Sequence, residues 1–266
     1  MKKLFFIGAG KMATAIAGGM TASGKFQASE LGACDPDIRA AAAFEEATGI
    51  KVYSSGEGIK ESSALLLAVK PQVIHSLAAQ KDLMKDKLII SIAAGISIAQ
   101  LAEITGSNRI IRVMPNTPAL VGKGASGYSC SEMIAPEEEN FAKEILSAVG
   151  VAFKFAESSL DAVTALSGSG PAYVFEFIQA LADGGVAEGL PRDTAQILAA
   201  QTLIGAAEMV LKTQEHPCSL KDKVTSPAGT TSRALEVLAD RGFAGTVIKA
   251  VRAAAERSRE LGTKTK

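Results

Sequence analysis

Between residues 4 and 22 the chain runs from an apolar stretch, Leu4-Phe5-Phe6-Ile7, through Gly8-Ala9-Gly10-Lys11-Met12-Ala13 into a segment with helical spacing. No other part of the sequence restricts the fold as much. A strand that turns at once into a helix brings the two close together, so the turn and the first approach must carry small residues. Gly8 suits the tight turn, Gly10 lets a pyrophosphate come near the backbone, and Ala13 takes the third small position of a GxGxxG/A fingerprint. The same glycines would also serve a plain strand-to-helix turn. Context favours the dinucleotide reading, because Lys11 to Ala22 reads as a helix and Glu30 to Cys34 as a second strand, which closes a βαβ unit.

The alternation continues. Further strands are expected at Val52-Tyr53, Ala64 to Val69, Leu88 to Ile92, Arg109 to Met114, Gly127 to Cys130 and Ala152 to Phe155, several of them continuous apolar runs of the kind covered by helices on both faces. The expected fold class is therefore an α/β Rossmann domain, a doubly wound and mostly parallel sheet over residues 1–159. After Ser159 the pattern changes to Ala/Leu/Val/Ile repeats at helical spacing, with helices expected at 160–166, 171–188, 192–212, 231–241 and 243–262. These form an all-α C-terminal domain, residues 160–266. The helix from Arg192 to Lys212 is apolar on much of its circumference, including Ile197, Leu198, Leu203 and Ile204. It must be buried, either in the middle of its own bundle or against a second copy of the chain, and the small size of the domain favours the second copy.

Composition removes several function classes. The 28 basic and 28 acidic side chains balance, which gives no bulk attraction to nucleic acid or an anionic membrane. The apolar run at residues 4–7 is too short for a signal peptide, and no later stretch reads as an uninterrupted membrane span. Cys34, Cys130 and Cys218 are widely separated with no CxxC spacing, so neither a metal site nor a disulfide framework is expected, and a reducing cytoplasm is the simplest address. His75 and His216 are the only imidazoles. Each reads as a surface or packing residue.

Four further places carry polar chemistry at the expected ligand edge. Asp35 ends the second strand, where an acid either accepts hydrogen bonds from the ribose hydroxyls of NAD or caps a helix starting near Pro36. It would repel a 2′-phosphate, so the residues lean to NADH, although Arg39 lies near enough in sequence to answer such a phosphate. Lys70-Pro71 follows the strand of residues 64–69, and Pro115-Asn116-Thr117-Pro118 fixes a polar turn able to line the nicotinamide or the substrate. The last place is Val224-Thr225-Ser226-Pro227-Ala228-Gly229-Thr230-Thr231-Ser232. Its hydroxyls feed into a helix N-terminus, which suits either an anion cradle or a plain cap.

Taken together, GAGKMATAI at 8–16, AVKPQ at 68–72, RVMPNTPALVGKG at 112–124, SGSGPAY at 167–173 and VTSPAGTTSRAL at 224–235 resemble pyrroline-5-carboxylate reductase over the whole chain. The hydroxyl-rich SPxGTT loop is the most specific of these segments. The resemblance implies an N-terminal domain binding NADPH or NADH, a helical domain interleaved with that of a second subunit, active sites shared between subunits, and homodimers that assemble into decamers. By motif it places Ile7, Gly8, Ala9, Gly10, Lys11, Met12, Ala68, Val69, Lys70 and Pro71 on the cofactor. Ser55 stands where many members have an Asn that touches the nucleotide. It places Ser226, Gly229, Thr230 and Thr231 on the cyclic imino acid substrate. Departures include Lys223 for a common Asn and Ala228 for the first Gly of a usual pair.

The chemistry expected is hydride transfer to a ring imine, with no metal. Ser226, Thr230 and nearby N–H groups would hold the carboxylate, with Arg233 as a further donor if it turns back. Thr231 is the candidate catalytic residue, since a hydroxyl can accept from an iminium and donate to an amine; the alternative for Thr231 is a helix cap. A β-hydroxyacid-type dehydrogenase shares the two-domain plan, but the segment Pro171-Ala172-Tyr173-Val174-Phe175-Glu176 lacks the Lys and Asn that those enzymes carry. A non-catalytic dinucleotide sensor would be expected to have lost the hydroxyls of the loop, which are present.

Overall fold

The computed structural model describes residues 2–264; the outer limits of the expected domains, residues 1 and 266, lie beyond them. In chain order the first elements are β1 (Lys2–Ile7), α1 (Lys11–Ala22), β2 (Leu31–Cys34), α2 (Ile38–Thr48), α3 (Ser55–Lys60), β3 (Ser62–Leu67), α4 (Lys81–Met84), β4 (Leu88–Ser91), α5 (Ile98–Thr105) and β5 (Ile110–Met114). Then come β6 (Gly124–Cys130), α6 (Pro136–Ser147), β7 (Gly150–Lys154) and α7 (Leu160–Val163). The helices α8 (Gly170–Ala187), α9 (Arg192–Thr213), α10 (Pro217–Lys223), α11 (Thr230–Asp240) and α12 (Phe243–Lys264) complete the chain.

The seven strands form one sheet in the order β2-β1-β3-β4-β5-β6-β7, parallel except where β6 runs against β5. Alternation along each strand divides the core in two. Leu4, Phe6 and Leu66 pack on one face with Ile16 and Met20 of α1 and Phe44 of α2, while Phe5, Ile7, Leu65 and Leu67 pack on the other with Leu101 and Ile104 of α5. Each such side chain contributes about 1.5–3 kcal/mol on full burial, and these strands are buried on both faces. The expected strand at Val52-Tyr53 is reduced to a single bridge between Ala33 and Val52. The segment meets the edge strand β2 at that one point and then turns into α3 at Ser55.

The chain divides by contacts into two compact units, residues 2–169 with 254–264, and residues 170–253. The first holds the whole sheet. In the second, α8 and α9 pair around a small core of Ala182, Ala195 and Ala199, flanked by Ile178 and Val186. Large apolar side chains of α9 remain outside it: Ile197 is 69% and Leu211 70% exposed. Within one chain, then, the bundle does not bury α9, which leaves the second copy to cover it; by length and composition alone the helix is also long and apolar enough to cross a membrane.

Candidate functional site

Only three residues separate β1 from α1. The turn they make is stitched to the neighbouring strands: Gly8 N–H donates to the Cys34 carbonyl and Ala68 N–H to the Ile7 carbonyl, both at 2.8 Å. Gly8 has a φ of +102°, and a Cβ there would lie 2.7 Å from the Ala68 carbonyl oxygen. Only glycine fits that position. Gly10 is different in kind. As the N-cap of α1 its φ of −75° and ψ of 179° are open to any residue, no side chain caps the helix, and a Cβ would meet nothing within 4 Å. Its smallness answers no demand of the chain's own packing. The space it leaves lies over the uncapped first-turn N–H groups of α1, the place where a dinucleotide's phosphates are held, and the residues present fit such a ligand.

Asp35 lies beside this turn. Its Oδ2 accepts from Ala9 N–H and its Oδ1 from Asp37 N–H, each at 2.8 Å. It does not cap α2. That cap is Asp37, whose carboxylate takes the Arg39 N–H at 2.9 Å; Pro36 disfavours helical geometry at residue 35 and so displaces the helix start. Ser55 opens α3 and donates its hydroxyl to Gln80 Oε1 at 2.6 Å. Burial pushes the neighbouring Cys34 thiol up, the Ser55 hydroxyl opposing it, so Cys34 is no thiolate nucleophile at neutral pH. Ala68 and Val69 follow β3. Exposed Lys70 precedes a 3₁₀ helix, Pro71–Gln80, with Pro71 at its first position. Ile7 to Met12, Asp35 and Ala68 to Pro71 thereby stand together at the carboxyl ends of β1, β2 and β3, the edge where open α/β sheets bind ligands.

In the second unit, Ser226-Pro227-Ala228-Gly229 form a tight turn closed by Gly229 N–H to the Ser226 carbonyl at 3.1 Å. A Cβ on Gly229 would run into the Ser226 hydroxyl. Gly229 is the N-cap of α11, with no side chain capping it, so the expectation that one of the loop's hydroxyls, Thr231 included, serves as a cap is corrected. The hydroxyls sort into two sets. Thr225 donates to the Lys221 carbonyl at 2.7 Å and Ser232 to the Gly229 carbonyl at 3.0 Å, whereas those of Ser226, Thr230 and Thr231 take no hydrogen-bond partner among the described residues. Arg233 pairs with Glu236 one turn along α11 rather than reaching back to the loop. Three hydroxyls without a partner among the described residues and an uncapped helix start are the features that suit a small carboxylate.

A cavity of about 810 Å³ opens elsewhere in the sheet unit, lined in part by Ile98, Ser129, Cys130, Lys154, Phe155 and Glu157. None of the candidate cofactor or substrate residues lines it. Of its charged residues, Lys154 pairs with Glu139 and Glu157 with Arg112, and burial pushes the Cys130 thiol up to about 11.

Known proteins match both units. A family model described as pyrroline-5-carboxylate reductase dimerisation matches residues 157–261, and one described as NADP oxidoreductase, coenzyme F420-dependent, matches residues 3–95. Pyrroline-5-carboxylate reductase of Pisum sativum is 47% identical, over 97% of this chain and 95% of its own length. The chain belongs to the pyrroline-5-carboxylate reductase family. The Escherichia coli pyrroline-5-carboxylate reductase is 41% identical over 98% of both chains. Among solved structures, that of Coxiella burnetii pyrroline-5-carboxylate reductase superposes with a TM-score of 0.92 at 34% identity, and that of Plasmodium falciparum pyrroline carboxylate reductase with NADP bound at 0.87 and 36%, each over 98% of both chains. As a member of the pyrroline-5-carboxylate reductase family the chain is an NAD(P)H-dependent oxidoreductase and a homo-oligomer.

Two features of this pyrroline-5-carboxylate reductase family member escaped the sequence. One is α10, capped by His216, whose Nδ1 accepts from Cys218 N–H at 3.2 Å; the His-Pro pair was its only signal. The other is Asn116, expected to line a ligand. It is buried, with its Nδ2 donating to the Ser167 carbonyl at 3.0 Å and its Oδ1 accepting from Ala125 N–H at 2.9 Å.

The departure at Ala228 has a measurable cost. Its φ is +55°, in the third position of a turn with Pro second, where a positive φ favours Gly. Left-handed geometry costs an alanine about 1–2 kcal/mol, partly offset by the greater chain entropy of glycine. Ala228→Gly is therefore expected to raise stability by up to about 1 kcal/mol, read as a higher midpoint in urea at unchanged slope. A lower midpoint would contradict the strain.

Proposed function

We propose that this protein reduces 1-pyrroline-5-carboxylate to L-proline with NADH or NADPH, the last step of proline biosynthesis. The observation that carries the reading is the 226–231 loop, with hydroxyls left free of structural duty at an uncapped helix start. Ser226, Thr230 and the first N–H groups of α11, with Gly229 leaving room beside them, hold the substrate carboxylate. Hydrogen bonds to a charged group contribute about 1.5–3 kcal/mol each, and the helix end adds about 0.3–1 kcal/mol, so no arginine is needed. Thr231 meets the ring nitrogen, accepting from the protonated imine and donating to the amine formed. Residues 7–12, 35, 55 and 68–71 would hold a reduced nicotinamide cofactor, which would supply the hydride for the imine carbon. The division of labour follows the expected domains, 1–159 for the cofactor and 160–266 for substrate and dimerisation.

Asp35 and Asp37 bring two carboxylates to the carboxyl end of β2, where the ribose of a dinucleotide is expected, and this supports a preference for NADH. The wild-type enzyme is expected to oxidise NADH with a kcat/KM at least equal to that for NADPH when the imine is supplied. Asp35→Ser removes one like charge and should move the ratio toward NADPH by roughly tenfold, as one like-charge contact near the surface implies. Failure to oxidise either cofactor sinks the assignment. An unchanged ratio in Asp35→Ser sinks only the role of Asp35.

The exposed apolar face of α9 is read as a surface covered by a second copy, in a cytoplasmic enzyme without membrane or nucleic-acid partner whose dimers assemble into decamers. Light scattering of the purified protein reads this directly, and a single-chain mass would overturn it.

A further inference from the structure

Between α7 and α8, residues Thr164–Gly168 form a π turn, with Ser169 N–H donating to the Thr164 carbonyl at 2.7 Å. Such turns are rare and concentrate at functional sites. Two residues later comes Pro171. In a continuing α-helix the carbonyl of Ser167 would accept from the N–H of residue 171, and proline has none. The Ser167 carbonyl is therefore deprived of its helical donor by the sequence, at a half-buried position. The missing donor comes from outside the helix: Asn116 Nδ2, at 3.0 Å.

The other end of the same amide is committed as well. β5 pairs with β6 only as far as Met114 with Gly127. Continued two residues, that register would place Asn116 opposite Ala125, and there the side chain takes over from the ladder, Oδ1 accepting from Ala125 N–H at 2.9 Å. Asn116 is 8% exposed. A buried amide with both ends bonded is costly to disturb, because either deletion leaves a desolvated backbone group unpaired.

We propose that Asn116 is a positioning residue: by supplying the donor that Pro171 withholds from Ser167, it fixes the π turn against the carboxyl end of β5. The inference rests on the reductase reading above for its consequence, and on the hydrogen bonds alone for the clamp. Without the amide, the π turn relaxes at the carboxyl end of β5, on the same edge of the parallel sheet that the reductase reading gives to the cofactor. Misplacement of about 1 Å costs a transfer reaction roughly a hundredfold.

The test compares Asn116→Ala, Asn116→Asp and Asn116→Ala combined with Pro171→Ala in the full-length protein. Asp keeps the acceptor for Ala125 N–H but sets a carboxylate against the Ser167 carbonyl. The double variant returns an N–H at residue 171. Expected is a kcat lowered roughly ten- to a hundredfold in both single variants, with KM for NADH within about twofold, and a larger primary isotope effect with NADH deuterated at C4. Faster amide exchange at Ser169 should accompany it, and the double variant should recover part of each change. An unaltered kcat and isotope effect in folded Asn116→Ala, or a loss that the double variant leaves untouched, overturns the role. Should wild-type protein fail to reduce the imine, the reductase reading fails instead, and exchange at Ser169 still decides the clamp.

Discussion

Gly10→Val is expected to leave thermal stability almost unchanged while raising the KM for the dinucleotide by about a hundredfold or more. The stability half follows from the space around the residue: its backbone angles suit any side chain, and a Cβ there meets no atom of the chain within 4 Å. The binding half follows from what that space is for. An isopropyl group over the start of α1 denies a diphosphate two or so charge-assisted bonds to backbone N–H groups, at about 1.5–3 kcal/mol each, and 1.4 kcal/mol is tenfold in affinity. Gly8→Ala is the control with the opposite profile. A φ of +102° and a carbonyl oxygen 2.7 Å from the new Cβ should cost about 2 kcal/mol or more, from left-handed strain and overpacking together. Melting curves and steady-state kinetics at saturating imine separate the two. If Gly10→Val loses as much stability as Gly8→Ala and binds cofactor normally, the fingerprint is only a turn.

Those two glycines are identical in the sequence, and the structure alone distinguishes their duties. The sheet was legible because its strands are continuous apolar runs buried on both faces; Leu4–Ile7 and Leu65–Leu67 could hardly be anything else. Val52-Tyr53 has the same residue types and β2 beside it, but pairing stops at the single Ala33–Val52 bridge before α3 begins, and the length of a ladder is not something local composition reveals. α10 was missed because its seven residues bury only Leu220, too little for a helical period to show. The π turn has no residue signature of its own. Pro171 points to it only once Asn116 is seen on the Ser167 carbonyl.

The apolar surface of α9 was legible as a demand for burial but not as to how it would be met. Its hydrophobic side chains point around the helix rather than along one stripe, and the single chain supplies only a small alanine-rich core beside it. A family whose matching segment is a dimerisation model resolves the demand by association. Composition likewise showed that the 224–232 loop is rich in hydroxyls without showing which are free. That division depends on distances of a few tenths of an ångström between each hydroxyl and the carbonyls of the preceding turn.

It is this division that gives Thr231→Ala its expected result, a kcat lower by about 10²–10⁴ with almost no loss of stability. Were Thr231 the cap of α11, removing its hydroxyl would cost about 1 kcal/mol of stability. The N-cap is Gly229 and the hydroxyl has no partner among the described residues, so alanine, the better helix former, should be neutral or slightly stabilising. Loss of activity must then come from the ring nitrogen, left without a group that can accept in one protonation state and donate in the other. Thr231→Ser should restore most of the rate. Ser226→Ala acts on the carboxylate instead and should raise the KM for the imine by roughly ten- to a hundredfold, the equivalent of one hydrogen bond to a charge, with kcat little altered. Parallel losses of melting temperature and kcat in Thr231→Ala would return the residue to a structural role. A kcat within twofold of wild type would remove it from the chemistry altogether.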